Sequence, residues 1–198
     1  MLLCAALGCA ALPLLPASAE AQAGTARRGE RRGLVDQIVS MPRLDYLARL
    51  AKPIQVPVEG VSRSRLRDSY LEGRSGGRTH EAIDIHAPRG TPVVAVSDGT
   101  ILRMRSGGLG GKHIFHLDDD GRTRYYYAHL DRWAAGLREG QRVKRGDTIG
   151  YVGDTGNAQP GDFHLHFSVA LLRDARQWWR GSTPLNPYAL LTGRDAAR

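Results

Sequence analysis

Turn-forming residues at short, regular intervals are the feature that most constrains the fold of this chain. From Pro53 onward, Gly-containing and Asp-Gly turns separate short apolar segments every ~8–12 residues, which is typical of antiparallel β-sandwiches and barrel-like folds. We therefore predict an all-β fold after residue 53. The predicted strands cover residues 56–61, 66–70, 79–85, 91–96, 100–105, 112–117, 122–129, 141–145, 148–153 and 164–172.

The last predicted strand contains two histidines, in the sequence His164-Leu165-His166. Alternate side chains of a strand point to the same face, so the two imidazoles are expected side by side. Such a pair suits a zinc ligand with a proton-transfer group next to it.

A second pair, His80 and Asp84, is spaced i, i+4. Either a strand or a helix would put both on one face, and the prolines at positions 88 and 92 favour the strand. Together with His166, they make a plausible set of three ligands for one catalytic zinc ion, with the fourth position left to water. The two cysteines, Cys4 and Cys9, both lie in an N-terminal segment that we predict to be absent from the mature chain. We therefore expect no thiol ligand and no cysteine nucleophile.

Three motifs in order give the chain a specific resemblance. They are His80-Glu-Ala-Ile-Asp84, Tyr127-Ala-His129-Leu130 and His164-Leu-His166. The chain resembles the lysostaphin-like, LytM-type zinc metalloendopeptidases, which cut peptide cross-links in bacterial peptidoglycan. The resemblance implies a twisted antiparallel sheet or sandwich with the active site in a groove across it. It also implies that His129 and His164 are catalytic, one as general base towards water and both steadying the oxyanion.

Several other polar residues lie near these motifs. Glu81 is an alternative base, but as the neighbour of His80 in a strand it should point to the opposite face. His86 is predicted to be a groove or surface residue rather than a further ligand. His113 and His116 are predicted to be ordinary surface histidines.

Aromatic residues leave further alternatives open. Tyr125 and Tyr127 should share a face with His129, so one of them could line the groove. The pair Trp178-Trp179 is interpreted as a cap on the core, with an exposed pair that binds the cell wall as the alternative.

The whole chain is predicted to be organised in five consecutive segments. Residues 1–19 resemble a secretory signal peptide that is cleaved near 19–23, after Ala17-Ser18-Ala19. Lipidation at Cys9 and a retained anchor are the alternatives. A flexible linker over 20–33, a short helical segment over 34–52, the zinc peptidase domain over 53–192 and a loose tail over 193–198 follow. We therefore expect an exported protein, either periplasmic or associated with the cell wall.

The formal net charge of +8 is spread along the chain, and no nucleic-acid recognition motif accompanies it. We predict a monomer that acts on peptide stems or cross-bridges of peptidoglycan and is attracted to anionic polymers of the envelope, with no nucleic-acid partner and no transmembrane span in the mature chain. The alternative function is that of a catalytically silent regulator of cell-wall amidases on the same fold.

Overall fold

The computed structural model describes residues 54–193. The predicted signal peptide, linker and helical segment, and the tail beyond residue 193, lie outside the described residues, so the predicted domain bounds stay predictions. The described elements are β1 (Gly73–Arg74), β2 (Arg78–Thr79), β3 (Ile83–His86), β4 (Pro92–Val94), β5 (Gly99–Arg105), β6 (Lys112–Asp118), β7 (Thr123–Trp133), β8 (Arg142–Val143), β9 (Thr148–Val152), β10 (His164–Leu172), β11 (Ser182–Leu185) and the helix α1 (Pro187–Thr192).

Antiparallel pairing joins nine of these strands into a single sheet. Its main path runs in the order β11-β10-β7-β6-β5-β8, while β3 pairs with β10, and β9 links β7 to β4. The strands β1 and β2 form a separate hairpin. The predicted all-β class with an antiparallel sheet is therefore confirmed.

The inner face of the sheet forms the hydrophobic core. Alternate residues of β7 and β10, among them Tyr125, Tyr127, Leu165 and Phe167, are completely buried there. Each large apolar side chain that is fully buried stabilises the fold by roughly 1.5–3 kcal/mol relative to its exposed state. The residues between them face outward, so the functional residues on these strands lie on the opposite face.

A bulge in β7 interrupts this alternation at His129. Lys112 pairs with Leu130 but Ile114 pairs with Tyr127, so β7 carries one more residue than β6 over this stretch. His129 has a φ of 61°, and its amide donates to the carbonyl oxygen of Gly110 at 2.9 Å. A left-handed conformation at a residue with a side chain costs on the order of 1–3 kcal/mol. Here it turns the His129 side chain away from the face of Tyr127.

The strand predicted over 79–85 is wrong as a continuous element. The strand β2 ends at Thr79 and β3 begins at Ile83, and Glu81 between them has a φ of 52°. His80 and Asp84 therefore meet because the chain turns at the break, and not because they alternate along one strand.

Other boundaries also differ from the prediction. Residues 56–61 contribute a single bridge, between Val58 and Val93, and residues 66–70 contain no strand. Of the strand predicted over 141–145, only the two residues of β8 form a strand. The β1–β2 hairpin, β11 and α1 were not predicted, although Asn186, Pro187 and Gly193 are the N-cap, first-turn and C-cap residues that such a helix favours.

Candidate metal centre and active site

Three parts of the fold bring histidines to one cavity on the outer face of the sheet. The strand β10 carries His164 and His166, the β2–β3 break carries His80, and the bulge of β7 carries His129. All four line a cavity of about 620 Å³, together with Asp84 of β3. The structure thus brings together all five residues that the sequence predicted for the site.

Three of these residues direct ligand atoms at one point. Nε2 of His80 lies 3.0 Å from both Oδ1 of Asp84 and Nδ1 of His166, and the last two atoms are 3.2 Å apart. A tetrahedral zinc ion with ligand distances of 2.0–2.1 Å requires ligand atoms roughly 3.3 Å apart. The triangle is close to that size, so the residues fit a zinc ion.

Neighbouring groups fix the orientation of two of the ligands. Nδ1 of His80 donates to the carbonyl oxygen of Ser69 at 3.0 Å, which leaves the lone pair of Nε2 directed at the triangle. The guanidinium of Arg74 holds Oδ2 of Asp84, so that Oδ1 faces the two histidines. Arg74, on the β1–β2 hairpin, was not predicted, because nothing in its local sequence shows that this hairpin folds over the site.

The electrostatics of the triangle favour the protonation states that bind metal. Burial opposes the charge of Asp84, but the adjacent imidazoles of His166 and His80 outweigh it and hold the pKa of this carboxyl well below its usual range. Burial lowers the pKa of His166, against the opposing effect of Asp84. An ionised carboxylate beside a neutral imidazole is the form that a divalent cation requires.

His129 and His164 lie beside the triangle with their rings 4.9 Å apart. Nδ1 of His129 donates to the carbonyl oxygen of Thr155 at 2.7 Å, and Nδ1 of His164 donates to that of Asp162 at 2.8 Å. In a neutral ring with Nδ1 protonated, Nε2 is free to accept a proton. Burial lowers the pKa of His129 to about 4, so this ring is neutral at neutral pH.

Glu81 and His86 take no part in the triangle. Glu81 is exposed and is absent from the cavity lining. His86 is exposed as well, and its Nε2 lies 3.1 Å from Oδ1 of Asp162, which agrees with its interpretation as a groove or surface residue.

The prediction that Tyr125 and Tyr127 share a face with His129 is wrong. Both tyrosines are completely buried in the core, and Tyr126 lines the cavity in their place. The bulge at His129 is the reason, because it shifts the alternation by one residue. Burial raises the pKa of Tyr126 to about 12, so its hydroxyl stays protonated at neutral pH.

The prediction that His116 is a surface histidine is wrong too. Its side chain is completely buried, with Nδ1 3.3 Å from the hydroxyl of Tyr127. The signal was present in the sequence, since His116 alternates with Ile114 and so shares the inward face of β6. His113, on the outer face, is partly buried against the ring of Tyr126 at 5.3 Å.

Comparisons with known proteins identify the family of the chain. The family model for peptidase family M23 matches residues 78–187. The chain is 30% identical over 161 residues to the L-Ala–D-Glu endopeptidase of Bacillus subtilis (strain 168), covering 77% of this chain and 48% of that protein. It is 38% identical over 99 residues to a glycyl-glycine endopeptidase of Staphylococcus capitis, covering 50% of this chain and 26% of that protein. The chain therefore spans about half or less of these curated relatives.

The chain also matches a solved structure. The crystal structure of a zinc-containing peptidase from Vibrio cholerae matches with a TM-score of 0.55 and 25% identity, covering 69% of this chain and 39% of that one.

Among residues 54–193, the helices are too short or too polar to cross a membrane.

Proposed function

The chain belongs to peptidase family M23, the family of LytM-type peptidoglycan hydrolases, and from this premise we propose that it is a zinc-dependent endopeptidase that cuts peptide cross-links in bacterial peptidoglycan. One observation carries the proposal. Three ligand atoms, from His80, Asp84 and His166, lie 3.0–3.2 Å from one another beside two further histidines in the same cavity. The proposed site of action is outside the cytoplasm, in the periplasm or cell wall.

The proposed zinc ligands are Nε2 of His80, Oδ1 of Asp84 and Nδ1 of His166. Two neutral imidazoles and one carboxylate leave a net charge of +1 on the occupied site. A bound zinc ion supplies a Lewis acid for the scissile carbonyl and lowers the pKa of water to about 7. The hydrogen bonds from His80 to Ser69 and from Arg74 to Asp84 keep these ligands in place while substrate enters.

His129 is the proposed general base. Its Nε2 takes the proton of the attacking water, and its Nδ1–H bond to the Thr155 carbonyl oxygen steadies the imidazolium that forms. Because its pKa is lowered by burial, the protonated ring readily returns this proton to the leaving amine.

His164 is the proposed second catalytic histidine. Its Nε2 lies 3.9 Å from Oδ1 of Asp84, which puts it next to the proposed metal position without being part of the ligand triangle. From there it can donate a hydrogen bond to the oxyanion of the tetrahedral intermediate once it is protonated. The hydrogen bond from Nδ1 to the backbone of Asp162 fixes the direction of this donation.

Release of soluble muropeptides from purified peptidoglycan tests the proposal. The protein used is the predicted mature chain from Glu20 onward, assayed as purified, with a chelator, and with zinc restored. We expect release that stops with the chelator and returns with zinc. The two curated relatives are named for different peptide bonds, so fragment masses identify the bond that this chain cuts. A protein that holds one zinc ion and releases nothing would contradict the proposal and direct the next test to amidase activation.

A further inference from the structure

Four aromatic side chains form a continuous ladder that leads from the cavity to the surface. Tyr126 lines the cavity, with its ring 6.0 Å from that of His166. Phe115 is the cross-strand partner of Tyr126, at a ring separation of 4.7 Å. Trp178 packs 5.0 Å from Phe115, and Trp179 follows at 5.8 Å. We call Tyr126, Phe115, Trp178 and Trp179 the aromatic ladder.

The outer end of the ladder is exposed. The interpretation of Trp178-Trp179 as a cap on the core is wrong for Trp179, which is 62% exposed. Trp178 is half-buried, and it covers Phe115 on the outer face of the sheet rather than the core. The ladder therefore ends in a large aromatic ring whose face is open to solvent.

The loop that carries the two tryptophans is held in place. The guanidinium of Arg124 donates to the carbonyl oxygen of Trp178 at 2.5 Å and to Oγ of Ser182 at 3.4 Å. The same guanidinium lies 5.3 Å from the centre of the Phe115 ring. Asp174 caps the turn Ala175–Gln177 by accepting from the amide of Arg176 at 2.9 Å. The surface is thus formed before any partner arrives, which reduces the entropy cost of binding.

We propose that the aromatic ladder is a binding subsite for the glycan strand of peptidoglycan. The apolar C–H faces of N-acetylated sugar rings stack on Trp179 and on the open side of Trp178, while the attached peptide stem passes Tyr126 into the cavity. Indole suits this role because it combines a large apolar face with a polar N–H at its edge. This inference rests on the proposed function and extends it from the peptide to the sugar.

The surroundings favour a glycan over a lipid surface or a protein partner. Among the described residues, only Leu71, Leu109 and Trp179 are large, apolar and clearly exposed, so the apolar area near the ladder is narrow. A stable protein interface buries ~800 Å² on each side, and membrane binding strengthens with the apolar area that is buried, so both favour a wider apolar surface than this one. Arg173, Arg176 and Arg180, which are close to the tryptophans in sequence, are exposed, and their positive charge complements the carboxylates of peptide stems.

Binding of peptide-free glycan strands to the zinc-loaded mature chain tests the inference, with intrinsic tryptophan fluorescence and calorimetry as readouts. Trp179→Ala should weaken this binding by about tenfold, the size expected for one lost aromatic stacking contact. Trp179→Phe should retain part of it. Leu71→Ala removes another exposed apolar residue, outside the ladder, and should bind as the wild type does.

Hydrolysis separates this inference from the proposed function. Cleavage of a sugar-free cross-linked peptide by the wild type tests the endopeptidase activity alone. Trp179→Ala should raise KM for intact peptidoglycan more than KM for that peptide. Equal glycan binding by the wild type and Trp179→Ala, or no binding by either, would overturn the subsite even if the peptide is cut. Binding to anionic phospholipid vesicles, or a dimer that Trp179→Ala dissociates, would overturn it in favour of a membrane or a second copy.

Discussion

Buried histidines on the two faces of the same sheet differ in the groups that their ring nitrogens contact. On the inner face, His116 is packed beside Tyr125 and Tyr127, and its Nε2 has no hydrogen-bond partner among the described residues. On the outer face, His80, His129 and His164 each bond a backbone carbonyl oxygen through Nδ1 and present the other nitrogen to one cavity.

Burial is common to both faces, so burial alone does not mark the site. It lowers the pKa of His116 to about 4, and it lowers the pKa of His129 to about 4 as well. The difference is convergence, because among the described residues the ring nitrogens of His80, His164 and His166 on the outer face approach one partly buried carboxylate, that of Asp84. A neutral, buried imidazole becomes a ligand or a base only where such a geometry exists.

The largest effect is expected from removing a ligand atom of the triangle. His80→Ala and Asp84→Ala should each lose bound zinc and hydrolysis together, because two ligands do not retain a catalytic zinc ion. Zinc content by mass spectrometry and muropeptide release measure the two properties. His86→Ala, which removes an exposed histidine outside the triangle, should leave the zinc content unchanged. If His80→Ala retained zinc at wild-type affinity, His80 would not be a ligand, and the contrast drawn between the two faces would be wrong.

A smaller effect is expected at His129. His129→Ala should lower kcat by roughly 10²–10⁴-fold, the usual contribution of a general base, and should keep its zinc. Steady-state kinetics on a soluble cross-linked peptide, with zinc content measured in parallel, check this. An unchanged kcat would remove His129 from the chemistry, and a loss of zinc would make it a ligand.

A still smaller effect is expected at Arg74. Arg74→Gln removes the cation that holds Oδ2 of Asp84, and zinc affinity should fall about 10–100-fold, as is usual for a partner of a metal ligand. Competition with a chromogenic chelator measures the affinity. Arg138→Gln, on the exposed turn after β7, is the matched control and should bind zinc as the wild type does. Equal affinities would show that Asp84 needs no support from Arg74.

The smallest effect on activity is expected at His116, which should act on stability instead. Its folded pKa is lowered, so the unfolded chain binds more protons, and stability should be lost as pH falls from about 6.5 towards 4. The full loss is roughly 3 kcal/mol, and His116→Leu should remove this contribution while leaving hydrolysis at pH 7 intact. Urea unfolding at pH 7 and pH 4.5 measures both proteins. An identical pH dependence of their stabilities would contradict this account of the inner face.

Local sequence patterns predicted the fold well where strands are long and regular. The predicted strands 100–105, 112–117 and 164–172 agree with β5, β6 and β10 to within one residue at each end. The same alternation would have put His116 in the core, had it been applied to β6. The pair His164 and His166 was also readable from its spacing, because alternate residues of β10 share a face. For His80, Asp84 and His129 the strand spacing gave the wrong reason, and the order of the three motifs was the informative signal.

The remaining features depend on how strands pair, which spacing alone does not encode. The bulge at His129 lies next to Leu130, which pairs with both β6 and β9, and it puts His129 on the face of Tyr126 rather than on that of Tyr127. The left-handed residue Glu81 breaks the predicted strand before Asp84. Arg74 reaches Asp84 only because a hairpin of two-residue strands folds back over the site.

The zinc content of His164→Ala and His166→Ala tests the central claim most directly, because the two residues lie two positions apart on β10 and differ only in where their nitrogens point. Nδ1 of His166 belongs to the triangle, whereas Nε2 of His164 lies beside it. We predict one zinc ion per chain in His164→Ala, without turnover, and none in His166→Ala. Zinc in His166→Ala, or its loss from His164→Ala, would contradict the account.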